Sequence, residues 1–220
     1  MNTLSSPAVA LLLDRLFAEA DAASPLSSPA FSALSPEERT RLMRSKDDYR
    51  DLYARLKDFA LPVSRETGQL LYILARASQA RSIVEFGTSF GLSTLHLAAA
   101  LRDNGGGRLI TSEFESSKVA NAKANIAEAG LSDLVELREG DALETLKVDL
   151  PETIDLLLLD GAKSLYSDVL ALVEDRLRPG AVIVADNADY CPDYLEHVGA
   201  VANGYSTISF TDDVELSVRL

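Results

Sequence analysis

Five acidic residues each end, or closely follow, a short apolar run: Glu85, Glu113, Asp141, Asp160 and Asp186. A single loop acid is a solvated residue. Five carboxylates gathered on one edge would repel one another at a free-energy cost unless bound cations compensate it. Their placement therefore points to positively charged guests. Around Glu85 the pattern sharpens. Residues Ile83 to Gly91 read IVEFGTSFG, an apolar run that ends in Glu85 and a turn bearing Gly87 and Gly91. Leu92, Leu95 and Leu97 to Ala100 then resume at helical spacing, so the order is strand, turn, helix. The glycines let the backbone take positive φ and let a ligand approach it, and the helix opens its first N–H groups toward that ligand. A phosphate cradle relies on such N–H groups and the helix dipole, and would avoid Glu85. The spacing E-x-G-x-x-x-G also departs from the dinucleotide fingerprint G-x-G-x-x-G. Glu113, 22 residues past Gly91, stands where an acid can accept both hydroxyls of a ribose.

The elements that must position these residues alternate from Ser82 onward. Strands are predicted over Ser82–Phe86, Arg108–Ser112, Val135–Arg138, Ile154–Leu159 and Ala181–Ala185. Helices are predicted over Gly91–Arg102, Ser116–Ala129, Ala142–Leu146 and Ser164–Leu177, the last stopped by Arg178-Pro179-Gly180. Such alternation is the signature of a parallel sheet covered on both faces, whose ligands sit outside the carboxyl ends of the strands. A helix from about Asp193 to Val201 then leads to strands over Tyr205–Phe210 and Val214–Leu220. The three-residue turn Thr211-Asp212-Asp213 makes these antiparallel neighbours. Upstream, Val9, Leu12, Leu13, Leu16 and Phe17 mark a helix, Ser24–Ser35 a connector, Pro36 to about Asp58 a second helix behind the cap Ser35, and Arg65–Ser78 a third behind Ser64. The fold class is α/β: a Rossmann-like doubly wound sheet of five parallel strands plus a C-terminal antiparallel hairpin, with extra N-terminal helices. Residues 1–63 are expected to form a helical extension and 64–220 the main domain.

With 21 basic against 34 acidic residues, the formal charge is −13. That field repels nucleic acid and anionic membrane surfaces, so neither is an expected partner. One cysteine, Cys191, precludes an internal disulfide or a thiolate zinc site. The N-terminus lacks a basic leader, and the apolar run from Ala8 is broken by Asp14 and Arg15, so a cytoplasmic protein is expected.

The motif at Glu85–Gly91 and the arrangement of five parallel strands with a terminal antiparallel hairpin resemble the class I S-adenosylmethionine-dependent methyltransferases. The resemblance implies S-adenosylmethionine as cofactor, held by Glu85, Gly87, Thr88, Ser89, Gly91, Ser93, Glu113, Asp141, Ala142, Asp160 and Tyr166. Asp141 would receive the adenine amine, and the Thr88 and Ser93 positions would help hold the methionine carboxylate or the ribose. Glu113 by itself suits NAD equally, since both cofactors present a ribose. Two further stretches, IDLLLLDGAK at Ile154–Lys163 and AVIVADN at Ala181–Asn187, resemble the metal-dependent O-methyltransferases of the caffeoyl-CoA and catechol type. Carried over by position, Asp160, Asp186 and Asn187 are metal ligands, and Lys163, with Asp160, is catalytic. Two carboxylates and an amide oxygen are hard donors that suit Mg²⁺, Ca²⁺ or Mn²⁺. The family's usual Asp-Ala-Asp-Lys is here Asp160-Gly161-Ala162-Lys163, which lacks the second acid. The implied activity is methyl transfer to a hydroxyl of a small catechol-like or phenolic acceptor, in a homodimer built on the N-terminal helices. A metal-independent methyltransferase and a non-catalytic adenosylmethionine-binding protein are the alternatives.

Overall fold

The computed structural model describes residues 2–23, 25 and 29–220, so part of the expected connector over Ser24–Ser35 lies outside the described residues. Seven strands form one sheet: β1 (Ser82–Phe86), β2 (Arg108–Glu113), β3 (Val135–Glu139), β4 (Ile154–Leu159), β5 (Leu177–Ala185), β6 (Tyr205–Ser209) and β7 (Glu215–Arg219). Their spatial order is β3-β2-β1-β4-β5-β7-β6. The first five run parallel, and β7 is antiparallel to both β5 and β6. This is the doubly wound sheet with a terminal hairpin that the alternation of patterns predicts.

Alternate residues of each central strand feed opposite faces, as a period of two requires. Ile83, Leu109, Leu156, Leu158, Val182 and Val184 join one buried cluster, while Val84, Ile110, Leu157, Leu159, Ile183 and Ala185 join the other. The first cluster is closed by α5 (Arg65–Ala77), α6 (Leu92–Asp103) and α7 (Ser116–Glu128), and also by α1 (Pro7–Ala22), whose Val9, Leu12, Leu13, Leu16 and Phe17 are all buried in it. The second is closed by α8 (Ala142–Thr145), α9 (Tyr166–Val173) and α10 (Pro192–Gly199). On α6 His96 is buried against Phe17, its Nδ1 within 2.8 Å of the Leu92 carbonyl, so it is a packing residue. None of the described helices is long and apolar enough to cross a membrane.

Two helices differ from the expected spans. The single helix from Pro36 to about Asp58 is two, α3 (Pro36–Arg44) and α4 (Tyr49–Arg55), the short α2 (Pro29–Ser32) preceding them. Ser45 breaks it: its backbone is extended, and its hydroxyl accepts the amides of Asp47 and Asp48. A short polar side chain thereby gives the backbone an alternative to the helix. The expected helix to Leu177 also ends early, at Val173, followed by a 3₁₀ turn over Glu174–Arg176. Strand β5 starts at Leu177 and absorbs Pro179 and Gly180 through a register shift against Ile154 and Leu156. Proline has no N–H to give a ladder, and the bulge relieves that loss.

The α3–α4 pair is held differently from α1 and α5. Helix α3 buries none of its residues, and the pair meets the sheet domain through Tyr49 and Tyr53 of α4, which pack on the second cluster, and through polar contacts: Lys46 with Asp168, Arg44 with the Asp189 carbonyl, Arg50 with Asp141, and Tyr53 with the Gly161 carbonyl. Helix α5, by contrast, packs along α6 with Leu71 wholly buried. Leu71→Ala should cost about 2–5 kcal/mol of stability, and Gln69→Ala, exposed on the same helix, less than about 0.5 kcal/mol. Urea unfolding reads both; equal effects would mean that α5 is not seated on α6.

Candidate active site

The carboxyl ends of β1, β2, β4 and β5 and the turns after them line a cavity of about 850 Å³, roofed by α3, α4 and the segment Leu61–Pro62. Beneath it the turns after β1 and β4 touch. Gly87 has φ +102°, and a Cβ there would fall inside the van der Waals envelope of the Asp160 carbonyl. Gly161 is constrained by a side chain instead, because a Cβ there would strike the outer edge of the Phe86 ring. That contact explains why glycine stands where the family resemblance expects alanine.

Nine of the expected site residues line the cavity: Gly87, Ser89, Glu113, Asp141, Ala142, Asp160, Lys163, Asp186 and Asn187. Glu113 is fixed by two backbone donors, Ser89 N–H to Oε2 and Glu115 N–H to Oε1, both at 2.9 Å. Asp141 caps α8 by accepting the Leu143 N–H at 2.9 Å. Its other oxygen accepts the Arg50 guanidinium and, at 3.4 Å, the Tyr49 hydroxyl.

Glu85, Thr88, Gly91, Ser93 and Tyr166 are not on the cavity wall; the structure puts them behind it. Glu85 is 0% exposed and accepts the Ser93 and Thr94 hydroxyls, each at 2.6 Å. Burial pushes its carboxyl up to about 7 against those hydrogen bonds, with the Asp160 charge adding to the rise. Thr88 is paired with Thr111 at 2.5 Å. Gly91, with φ +89°, opens α6 where Ala122 and Ile126 pack. Tyr166 donates to the Asp186 carbonyl at 2.7 Å and accepts from Lys163. These residues shape the turns that the wall residues stand on.

Lys163 is 4% exposed, and its ammonium donates to Asp160 Oδ1 (2.8 Å), the Tyr166 hydroxyl (2.9 Å) and the Asp186 carbonyl (3.3 Å). Burial alone would lower its pKa, yet the surrounding charges, Asp160 foremost, carry it well above the ordinary lysine value. Asp186 shows the opposite strain. Its carboxyl is pushed up to about 7 by burial first, then by Asp160 and Asp213, with Lys163 pulling the other way. Two acids held together out of water are short of positive charge, which one lysine only partly supplies. Asn187, with φ +51°, turns its amide nitrogen to Asp213 at 3.4 Å and so leaves its amide oxygen as a donor atom. Among the described residues no three His, Cys, Asp or Glu side chains form a metal cluster of their own. The set Asp160, Asp186 and Asn187 is nevertheless chemically suited to a hard divalent ion, because a cation would relieve the repulsion that raises Asp186.

Lys118, Asp213, Arg50 and Tyr53 also line the cavity and escaped the sequence reading. Asp213 had a signal: antiparallel pairing of β7 with β5 sets Glu215 opposite Ala185 and returns the hairpin turn to the acidic edge. For Lys118 the signal is a lysine on the inward stripe of α7 that also holds Val119, Ala122 and Ile126. Neither Arg50 nor Tyr53 carries any local mark of its partner in the sheet domain.

A family model described as a methyltransferase domain matches residues 84–188. Catechol O-methyltransferase of Niastella koreensis is 39% identical over 131 residues, 58% of this chain and 58% of that protein. That of Sus scrofa is 30% identical over 151 residues, 64% of this chain and 80% of that protein. The crystal structure of the O-methyltransferase TomG from Streptomyces achromogenes, involved in tomaymycin synthesis and solved in complex with SAM, has a TM-score of 0.65 and 27% identity. It covers 91% of this chain, which covers 98% of it. The chain spans about three fifths of the length of the first curated relatives it matches.

Glu85 gives the site a pH signature. In the unfolded chain it ionises near 4.5 and in the folded chain near 7, so the folded form holds the proton longer. The stability this confers is complete below about pH 4.5 and is lost as pH rises through 7. Glu85→Gln should flatten that decline by on the order of 3 kcal/mol, measured as urea stability from pH 4.5 to 8.

Proposed function

We propose that this chain, which belongs to the class I S-adenosylmethionine-dependent O-methyltransferases of the catechol and caffeoyl-CoA type, methylates one hydroxyl of a small catechol-like or phenolic acceptor. The observation that carries this reading is the meeting of Glu113, Asp160, Asp186, Asn187 and Lys163 on one wall of one cavity. Glu113 would accept the ribose hydroxyls of S-adenosylmethionine, Asp141 the adenine amine, and Ala142 would meet the ring edge through its backbone. Asp160, Asp186 and Asn187 would hold the divalent ion, with Mg²⁺ the first choice. Bound there, such an ion supplies the positive charge that lowers the pKa of an acceptor hydroxyl. That help is needed, because a phenol with a pKa near 10 is ionised to only about one part in a thousand at pH 7.

Lys163 has the second chemical role. Its present partners are the charges that raise its pKa. Burial by itself favours the free amine, and a cation held by Asp160 and Asp186 would leave that influence less opposed. The same lysine can then take the proton of the acceptor hydroxyl or steady its negative charge. Tyr166 orients it through the 2.9 Å hydrogen bond. The apolar roof, with Met43, Tyr53, Leu56, Leu61 and Pro62, gives an aromatic ring a dry surface and keeps water from the reacting atoms. Ala162, on the wall where the family has its second acid, adds to that apolar character.

The test is methyl transfer from S-adenosylmethionine to a panel of catechols, followed by mass spectrometry with and without EDTA. Chelation should abolish turnover and Mg²⁺ restore it; activity indifferent to EDTA would reject the metal role. Asp186→Asn should lower kcat/KM about 100-fold or more without loss of thermal stability, since it removes a carboxyl that burial already drives toward neutrality.

A homodimer through the N-terminal helices fits the exposure of Leu11 on α1 and Ile73 on α5. Sedimentation velocity should return about twice the 23.7 kDa chain mass, and a single monomer boundary at micromolar concentration would remove the idea.

A further inference from the structure

Lys118 belongs to the first turn of α7 and is 3% exposed, yet it lines the cavity. Its only hydrogen bond among the described residues runs from Nζ to the Ser89 hydroxyl, at 3.1 Å. It is in no ion pair among them, so no carboxylate lies within 4.0 Å. An ammonium out of water with donors unused is costly. Its place adds to that cost, because a cation in the first turn of a helix opposes the helix dipole. Burial lowers its pKa, against the more distant charges of Glu113, Asp160 and Glu115. What places it is the hydrogen bond to Ser89, whose own N–H holds Glu113, the candidate ribose acid.

The cations on the cavity wall divide cleanly. Among the described lining residues they are Arg50, Lys118 and Lys163. Arg50 is engaged by Asp141, and Lys163 spends all three of its N–H groups on Asp160, Tyr166 and the Asp186 carbonyl. Lys118 alone keeps donors for a guest. S-Adenosylmethionine carries two cationic groups, the sulfonium and the amine, and one anionic group, the α-carboxylate. The acids of the rim suit the first two. Thr88 and Ser93, the hydroxyls that the family resemblance gives to the carboxylate, are behind the wall and bonded to Thr111 and Glu85.

Ser89 ties the parts together. It holds a left-handed φ of +47°, a conformation that costs a residue with a side chain. Its N–H orders Glu113 and its hydroxyl, bonded to the Ala60 carbonyl, receives Lys118. The ammonium is thus joined through one residue, Ser89, to the candidate ribose acid Glu113, on the wall of the same cavity. We infer that Lys118 is the anion-binding residue of the donor site and receives the α-carboxylate of S-adenosylmethionine. This rests on the function proposed above.

Calorimetric titration of the full chain with S-adenosylmethionine and with decarboxylated S-adenosylmethionine, which keeps sulfonium and amine, tests it. Wild type should bind the intact donor more tightly. Lys118→Met should weaken the intact donor about 10- to 100-fold and change the decarboxylated one less than threefold. Lys118→Gln should repeat the pattern, so misfolding of one variant does not decide the matter. An equal loss for both ligands would mean that Lys118 only props the Ser89 turn; that result, or no loss at all, overturns the assignment while leaving the proposed function standing. Wild type that binds neither ligand overturns both.

Discussion

Repulsion between carboxylates that the topology forces together is the constraint from which the site follows. Parallel strands all deliver their C-terminal ends to one edge, and here β1, β2, β4 and β5 each bring an acid to it, with Asp141 following β3. Each is handled by a separate device. Glu85 is buried and bonded to two hydroxyls, Glu113 is gripped by two backbone N–H groups, and Asp141 is spent on a helix cap and an arginine. Asp160 takes the buried Lys163. Asp186 is the acid given neither a cation nor a hydrogen-bond donor among the described contacts, and burial first, then the Asp160 charge, drives its carboxyl up to about 7. The place where the protein fails to neutralise itself is the place where a cation has the most to gain.

Steric fit sharpens the same point. Gly87 and Gly161 allow the β1 and β4 turns to touch, and Phe86 fills the space that a side chain at 161 would need. The backbone of Asp160 is thereby fixed by its N–H bond to the Phe86 carbonyl at 2.8 Å, and that of Asp186 by its bond to the Leu159 carbonyl at 2.9 Å. Side chains seated on ladder-bonded backbone at strand ends are held more firmly than side chains on free loops, which is what a site needing close placement requires.

What was legible in the sequence divides along the range of the interactions. Strand and helix periods, the caps at Ser35 and Ser64, and the acids at the strand ends are local signals, and each was readable. The orientation of a side chain at a strand end is not local. Glu85 and Asp160 look alike in sequence, each closing an apolar run, yet one turns behind the wall toward Ser93 and Thr94 and the other faces the cavity. Pleat and neighbouring strands decide that, and neither is written near the residue. The break at Ser45 was missed because an apolar stripe continues across it, while one hydroxyl wins the backbone locally. Lys118 was passed over because a lysine near a helix start reads as solvated, and only the packing of α7 against the Ser89 turn buries it.

A rim of this kind costs the ligand-free protein stability, and the position of that cost matters. Glu85, Asp186 and Lys118 are each displaced by burial toward their neutral forms, whereas the apolar clusters on both faces of the sheet are closed. These three displaced charges lie on the cavity wall or directly beneath it. A guest that supplies the missing charge binds the folded chain and not the unfolded one, so the free energy withheld from the empty fold returns on binding. The α3–α4 roof shares this logic. It is attached through the ion pairs Lys46–Asp168 and Arg50–Asp141 as well as through Tyr49 and Tyr53, which pack on the apolar cluster of that face, so part of its hold on the domain runs through Asp141, an acid of the rim itself.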